Sequence, residues 1–334
     1  MVNFNLHAME IANQKYVVTG GAGFIGSSLV RALIRAGAGR VLVIDNLATG
    51  HLRNLKEVWD CIEFHQVDIR DYSLTAPLIA GSDVVFHQAA IPSVPRSIDE
   101  PVLSHDVNVN GTFNVFLAAA NGGVRRVLYA ASSSVYGDSD VLPKVESMLP
   151  RPKSPYALQK LIGEQYAAIF ESTFRLETVC LRYFNVYGPR QDPTSTYSGV
   201  LSIFIKSILN RCAPTIYGDG STSRDFTYVE DVVSLNLAAA FAAKLPGRLY
   251  NCGCGGQITL NTAWNTLLEL EHLNMRPVYG TPRKGDVAHS CADIAAARRD
   301  LGFEPKYPFI KGLAETLDWY RTQREPISGA SLGA

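Results

Sequence analysis

The stretch KYVVTGGAGFIGSSLVRALIRAGA, residues 15–38, decides the fold. Its opening KYVVTG is a short β-branched apolar run stopped by glycine, which reads as a buried strand. Phe24, Leu29, Leu33 and Ile34 then recur at helical spacing, so a helix follows almost at once. The same alternation continues outward. VLVID (41–45), IEFHQVDI (62–69), DVVFHQAA (83–90), RVLYAASSSVYG (126–137) and ETVCLRYFNVYGP (177–189) read as further strands, the fifth of the series running into a serine-rich turn. VNVNGTFNVFLAAANGG (107–123) and SPYALQKLIGEQYAAIFESTF (154–174) read as helices. Continuous Val/Ile/Leu runs separated by helices are what a parallel sheet covered on both faces requires. The expected class is therefore α/β, a Rossmann-type doubly wound parallel sheet.

After about residue 189 the alternation weakens, and turn-rich stretches such as YGDGSTSRDF and YGTPRKGDV punctuate shorter elements. The expectation is a smaller α+β substrate-binding domain over 184–225 with 251–325. The first domain would then hold 1–183 with 226–250, and 326–334 would be a disordered tail. No internal repeat or low-complexity segment interrupts this plan.

The 334 residues carry 31 Lys+Arg against 31 Asp+Glu, a formal charge of zero that argues against a dedicated nucleic-acid or anionic-membrane binder. At 47% hydrophobic, with 15 Tyr and 14 Phe, the chain has material for a large core, so global disorder is excluded. Six cysteines are scattered, and Cys252-Gly-Cys254 lacks the spacing and companions of a redox or zinc motif, so reduced structural thiols and no metal are expected. MVNFNLHAMEIANQ does not read as a signal peptide, and VVSLNLAAAFAA (232–243) is too short to span a membrane. A cytoplasmic protein is the resulting expectation.

Glycines at 20, 23 and 26 lie directly between strand and helix. Gly20 and Gly23 permit a tight turn and close backbone approach to a pyrophosphate. Gly26 lets helix and strand pack closely, and the helix N-terminus supplies N–H donors. Asp45 ends the next strand, near the spacing expected of the ribose-binding acid. Its charge would repel a 2′-phosphate, which favours NAD over NADP. Tyr156 and Lys160 share one face of the 154–174 helix, one turn apart. A free tyrosine is too weakly acidic to serve as a base at neutral pH, with a pKa of about 10. A neighbouring ammonium and a positively charged nicotinamide would bring it toward working range. The pair lies one strand–helix unit after Ser132, Ser133 and Ser134.

At these residues the chain resembles the extended short-chain dehydrogenase/reductase superfamily, and within it the nucleotide-sugar 4-epimerases. The matching segments are VTGGAGFIG (18–26), DNLATG (45–50), VDIRD (67–71), HQAA (87–90), NVNGT (108–112), ASSSVYGD (131–138), SPYALQK (154–160), RYFNVYGPRQDP (182–193), DGSTSRDFTYVEDV (219–232) and PRKGDVAHSCAD (282–293). The resemblance implies Tyr156 as acid/base, Lys160 on the nicotinamide ribose and Ser132 bridging Tyr156 and the sugar O4. It also implies Phe24, Ile25, Asn46, Ala89, Ala90 and Tyr183 as further neighbours of NAD, with Asp68 and Ile69 beside the adenine and Asn108 supporting the nicotinamide end. Ser133 and Ser134 are sugar contacts or understudies of Ser132. Asn185, Arg224 and Arg283 are expected to hold the substrate pyrophosphate, with Asp286 near the uridine ribose; arginines suit a diphosphate as fixed bidentate donors.

The implied chemistry is a transient oxidation at C4, rotation of the 4-keto sugar about its diphosphate link, and reduction on the other face, with NAD kept tightly bound. Related dehydratases carry an acidic pair where this chain has serines, and decarboxylases usually a glutamate, so both reactions are disfavoured. For the sugar, SVPRS (93–97) resembles the branch acting on N-acetylated UDP-hexosamines, and Ser290, four residues after Asp286, leaves room for a 2-acetamido group. The expected substrates are UDP-GlcNAc/UDP-GalNAc, alongside UDP-Glc/UDP-Gal. A UDP-glucuronate 4-epimerase, a net oxidoreductase and a catalytically inactive NAD-binding scaffold remain open alternatives. The helices near 104–122 and 154–174 carry broad apolar faces (Phe113, Phe116, Leu117; Leu161, Tyr166, Ile169, Phe170). Relatives pair these helices into a four-helix bundle, so a homodimer is expected.

Overall fold

A computed structural model of the chain describes residues 11–192, 199–282 and 288–323. The tail 326–334, Arg283 and Asp286 lie outside the described residues. The opening unit is as the periodicity requires: β1 (Lys15–Thr19) has four buried residues, and α1 (Phe24–Arg35) follows the glycine turn. β2 (Arg40–Ile44), β3 (Glu63–His65), α2 (Tyr72–Ile79) and β4 (Val84–His87) continue the winding. Two short helices, α3 (Val94–Asp99) and α4 (Pro101–His105), then lead through a π-helical stretch, Asp106–Gly111, into α5 (Thr112–Asn121). β5 (Arg126–Ser132), α6 (Pro155–Phe174) and β6 (Glu177–Tyr183) complete the run.

β7 (Asn185–Tyr187), α7 (Val200–Asn210), β8 (Thr215–Tyr217), β9 (Ser223–Arg224) and β10 (Phe226–Tyr228) come next. They are followed by α8 (Val229–Phe241), β11 (Leu249–Cys252), β12 (Ile258–Thr259), α9 (Leu260–Leu270), β13 (Val278–Gly280), α10 (Ala295–Leu301) and α11 (Phe309–Thr322). The central sheet is seven parallel strands in the order β11-β6-β5-β4-β1-β2-β3. Its chain order reverses at β1, so the loops after β1 and β4 diverge and open a crevice at the strands' carboxyl ends.

Side-chain alternation splits the apolar residues of this sheet between two cores. Tyr16 and Val18 join Leu29 and Leu33 of α1 and Val232 and Leu235 of α8 on one face. Val17, Leu42 and Val85 join Phe116 of α5 and Phe170 of α6 on the other. A third core around Tyr187, Phe204, Trp264 and Leu313 gathers α7, α9 and α11.

Several strands are shorter than the sequence suggested, the 83–90 run among them at Val84–His87, and two of them end for a visible local reason. The 62–69 run ends at His65, because Asp68 accepts the Arg70 N–H (2.9 Å) in a local turn that competes with the ladder. The 177–189 run breaks at Phe184. There the Phe184 N–H still bonds Cys252 O (3.0 Å), while the next N–H, of Asn185, bonds Asp225 O (3.1 Å). β7 therefore leaves the main sheet and pairs with β10. None of the described helices is long and apolar enough to cross a membrane.

Candidate active site

Parallel register sets the floor of the site. Thr19 stands level with Ile44 and His87, and Ser132 stands level with Tyr183. Gly20, at φ +68°, lies so close to the next loop that an added Cβ would fall 2.7 Å from the Ala89 Cα. At Gly26 a Cβ would fall 2.2 Å from the Gly20 carbonyl oxygen, so helix α1 can approach the turn only without a side chain there. No side chain caps the start of α1 at Gly23, which leaves its first-turn N–H groups to the crevice. Phe24 and Ile25 open that helix, with Ile25 packed against the first core.

Asp45 is 8% exposed just past β2. Its carboxylate accepts Ala22 N–H (2.9 Å) and Leu47 N–H (2.8 Å), tying the glycine turn to the loop that follows β2. Burial raises its pKa against those two bonds. Asn46 donates to Asp68 (2.7 Å), and the Arg70 guanidinium beside Asp68 holds its carboxyl down to about 2. Ile69 is buried and packs where a side chain on Gly111 would sit. An uncapped helix start, a turn that only glycine allows, and a carboxylate at the next strand end together fit the diphosphate and adenosine ribose of a dinucleotide.

The second cluster surrounds the start of α6. Ser154 caps that helix by accepting Ala157 N–H (3.1 Å), and Pro155 occupies its first position. Tyr156 N–H donates to Ser97 Oγ of α3 (3.1 Å), which anchors the turn from a second side. Ser132 ends β5 and caps the short turn Ser133–Tyr136. Burial pushes the Tyr156 phenol up to about 12, opposed by the neighbouring Ser132 hydroxyl. Lys160, 4% exposed, donates to Ala130 O (2.8 Å), and its Nζ lies 6.0 Å from the Tyr156 ring centre. Burial lowers the ammonium to about 8, opposed by Glu164 one turn further on. Ser132, Tyr156 and Lys160 thus meet at the carboxyl edge of β5.

Beneath them lies a polar network that sequence reasoning only partly foresaw. Asn108, within the π-helical stretch, accepts Ile91 N–H (2.8 Å) and donates to Gln159 Oε1 (2.8 Å). Ser104 donates to the same Gln159 oxygen at 2.8 Å. Gln159 was missed; the usable signal was a polar residue beside Lys160 on the part of the helix that packs inward. His87 was missed as well, although it ends an apolar strand. It bonds Thr19 Oγ1 (2.7 Å) and Thr112 Oγ1 (3.0 Å), while burial first and Lys160 second hold it neutral, with a pKa of about 3. Ala89 N–H also donates to Thr19 Oγ1 (3.3 Å), so the Ala89-Ala90 loop is fixed from the strand below it. Tyr183 turns its hydroxyl toward Gln88 (3.2 Å) and Asn236 (3.0 Å), and burial raises its pKa.

A third group gathers beyond the end of β6, around Asn185, Arg224 and Ser290. Ser290 donates to Asn185 Oδ1 (3.4 Å) and accepts from Asp225 N–H (3.4 Å). Arg224 donates to Ser223 O (2.9 Å) and Ala288 O (3.3 Å), so Arg224, Asn185 and Ser290 share one strap. Asp225, not foreseen, pins the strap from behind by accepting the N–H groups of Cys254 (2.8 Å), Gly255 (2.9 Å) and Ala292 (2.9 Å). Among the described residues no group of three or more metal-ligating side chains gathers. The cysteines Cys61, Cys180, Cys212, Cys252, Cys254 and Cys291 are all free.

Known proteins resemble this chain over nearly its whole length. The UDP-glucose 4-epimerase of Mycolicibacterium smegmatis is 37% identical over 92% of this chain and 99% of its own. The structure of a UDP-N-acetylglucosamine 4-epimerase from Methanobrevibacter ruminantium, in complex with UDP-N-acetylmuramic acid, superposes with a TM-score of 0.89. That protein is 37% identical and covers 93% of this chain and 99% of itself. The Thermus thermophilus UDP-glucose 4-epimerase in complex with NAD superposes with a TM-score of 0.84 at 35% identity, over 93% of this chain and 100% of itself. The profile of the NAD dependent epimerase/dehydratase family matches residues 16–253, which takes in β1 through β11, and the chain belongs to that family.

Proposed function

We propose that this NAD-dependent UDP-sugar 4-epimerase interconverts UDP-GlcNAc and UDP-GalNAc, and UDP-Glc and UDP-Gal alongside them. The observation carrying the reading is the meeting of Ser132, Tyr156 and Lys160 at the sheet edge that the glycine turn also borders. Bound NAD supplies a hydride acceptor and donor at the sugar C4, and its positive ring favours the phenolate. Tyr156 takes the proton of the C4 hydroxyl and later returns it. Lys160 holds the ribose of the nicotinamide half and stabilises the phenolate. Gly20, Gly23, Phe24, Ile25 and Gly26 with Asp45, Asn46, Asp68, Ile69, Ala89, Ala90, Asn108 and Tyr183 line the cofactor side.

Asn185 and Arg224, together with Arg283 and Asp286, hold the uridine diphosphate, so the sugar can turn while the nucleotide stays. Residues 1–183 with 226–250 form the cofactor domain in this reading, and 184–225 with 251–325 the nucleotide-sugar domain. Support for the acetamido sugar comes from Ser290, a small residue drawn back onto Asn185 and Asp225. The protein is cytoplasmic and acts as a homodimer built by pairing α5 and α6 of two copies. Ile169, on α6, is 55% exposed, as that pairing needs.

Purified protein given UDP-GlcNAc, UDP-Glc and UDP-GlcA separately, without added NAD, tests the reading. Product from UDP-GlcNAc is expected, whereas product only from UDP-GlcA overturns the sugar assignment. Stoichiometric NADH release would make the protein a net oxidoreductase. Bound NAD with no turnover of any UDP-sugar would make it a scaffold. A monomer mass by light scattering would sink the dimer.

A further inference from the structure

We infer that Ser97 is a positioning residue: by holding the Tyr156 main-chain N–H, its hydroxyl sets Tyr156 in place against the loop that follows β4. The inference rests on the proposed reading of Tyr156 as acid/base. The first turn of α6 needs acceptors for its N–H groups. Pro155 has none to offer, and Ala157 N–H goes to Ser154 Oγ, the helix's own cap, at 3.1 Å. Tyr156 N–H instead goes to Ser97 Oγ on α3, also at 3.1 Å. The roles in this bond are fixed. Ser97 Oγ lies 2.7 Å from Val94 O, and a carbonyl oxygen only accepts, so the Ser97 proton points there and a lone pair faces Tyr156. Ser97 itself is fully buried.

α3 is carried by the loop that leaves β4, which the proposed reading places beside NAD. That loop is tied to β1, where Gln88 N–H donates to Thr19 O (3.1 Å) and Ala89 N–H to Thr19 Oγ1 (3.3 Å). It meets α6 a second time through Asn108. Ile91 N–H only donates and Ile91 O only accepts, so Asn108 turns Oδ1 to the first (2.8 Å) and Nδ2 to the second (3.2 Å). The same Nδ2 reaches Gln159 at 2.8 Å, so Gln159 presents Oε1, to which Ser104 also donates (2.8 Å). Segment 91–97 is thus clamped to α6 at Tyr156 itself and at Gln159, next to Lys160. A polar clamp in which every role is fixed has one geometry, whereas an apolar helix face can slide. Phenol and ammonium, both on α6, are therefore set as a unit against the cofactor side.

Ser97→Ala and Ser97→Thr, prepared in the full-length protein as purified, test this with two readouts. One is turnover of UDP-GlcNAc across pH. The other is hydrogen exchange of the peptide 154–160, which holds the Tyr156 amide. Ser97→Ala is expected to lower kcat about tenfold at every pH, with KM and bound NAD changed less than about twofold. The acid limb stays where it is, because Tyr156 and Lys160 move together on one helix. Exchange at the Tyr156 amide quickens at least about tenfold as its acceptor is lost. Ser97→Thr, which keeps the hydroxyl, restores slow exchange and kcat together. An unchanged kcat, a raised KM alone, a moved acid limb or unchanged exchange in Ser97→Ala would overturn the inference. So would a Ser97→Thr protein with slow exchange and a kcat still low. Absence of UDP-sugar turnover in the unaltered protein would defeat the proposed function alone, because exchange reads the Ser97 bond without turnover.

Discussion

Lys160 Nζ donates to the carbonyl oxygen of Ala130 at 2.8 Å, joining the helix that carries Tyr156 to the strand that ends in Ser132. The joint is close because Gly163 faces Tyr129: a Cβ there would fall 2.2 Å from the Tyr129 hydroxyl. One cation thus aligns strand and helix and supplies charge beside the phenol. Lys160→Met removes both effects, and turnover is expected to fall at least about 100-fold. Near-normal turnover in that variant would disprove the role.

The same burial makes Lys160 costly to keep charged. Its ammonium is lowered to about 8 in the folded chain, against 10.5 as the ordinary value. The folded state then disfavours the charged form, so the cost is fully present below pH 8. It fades as pH rises toward 10.5, where the unfolded chain discharges as well. Folding stability is expected to rise more between pH 7.5 and 9.5 in the unaltered protein than in Lys160→Met, by denaturant titration. Parallel curves would refute it. Turnover is expected to decline above pH 8, as the ammonium that supports the phenolate is lost.

Glu164 answers Lys160 on one side and Arg182 on the other. Its carboxylate pairs with Arg182 through two bonds (2.9 and 2.7 Å), both partners are buried, and the guanidinium lies 4.6 Å from the Tyr136 ring centre. Removing one partner of such a pair leaves an uncompensated charge, so Glu164→Ala should destabilise by about 3–5 kcal/mol. Glu164→Gln should also shift the alkaline decline of turnover to lower pH, since Glu164 raises the Lys160 pKa. Calorimetry and a pH profile decide the two halves separately.

The alternation of strands and helices and the glycine turn were legible because each buried strand is an apolar run, the first stopped by Gly20 and the fifth running into Ser132–Ser134. Tyr156 and Lys160 were legible for the same reason, being one helical turn apart on a long periodic helix. Gln159, His87 and Asp225 were not, since each acts by satisfying backbone or side-chain groups distant in sequence: Gln159 bonds Asn108 across 51 positions and His87 bonds Thr19 across 68. The end of β6 was illegible too. FNVY continues the apolar pattern, and only the change of partner from Cys252 to Asp225 ends the strand.

Asp45 should set the cofactor. Its carboxylate is already held by two backbone N–H groups, so it is fixed where a 2′-phosphate would have to approach. Two like charges at about 4 Å near a protein surface repel by roughly 1–4 kcal/mol. Asp45→Asn is therefore expected to reduce the preference for NAD over NADP by about tenfold or more. Chromatography of the nucleotide released on denaturation, after equilibration with both cofactors, measures it. An unchanged ratio would mean that Asp45 serves only to brace the loop.

Ser290 should set the sugar. It lies against Asn185 and Asp225, both tied into the β7–β10 pair, so a larger side chain at 290 has no room to retreat into that wall and must project toward the crevice. Ser290→Tyr is expected to cut turnover of UDP-GlcNAc by about 10–200-fold, the range a single pocket contact commands. UDP-Glc, lacking the acetamido group, should change by less than about threefold. Equal loss on both sugars would point to damage of the strap that also carries Arg224. Equal retention would mean that the acetamido group is accommodated elsewhere in the crevice, and Ser290 would then be a packing residue.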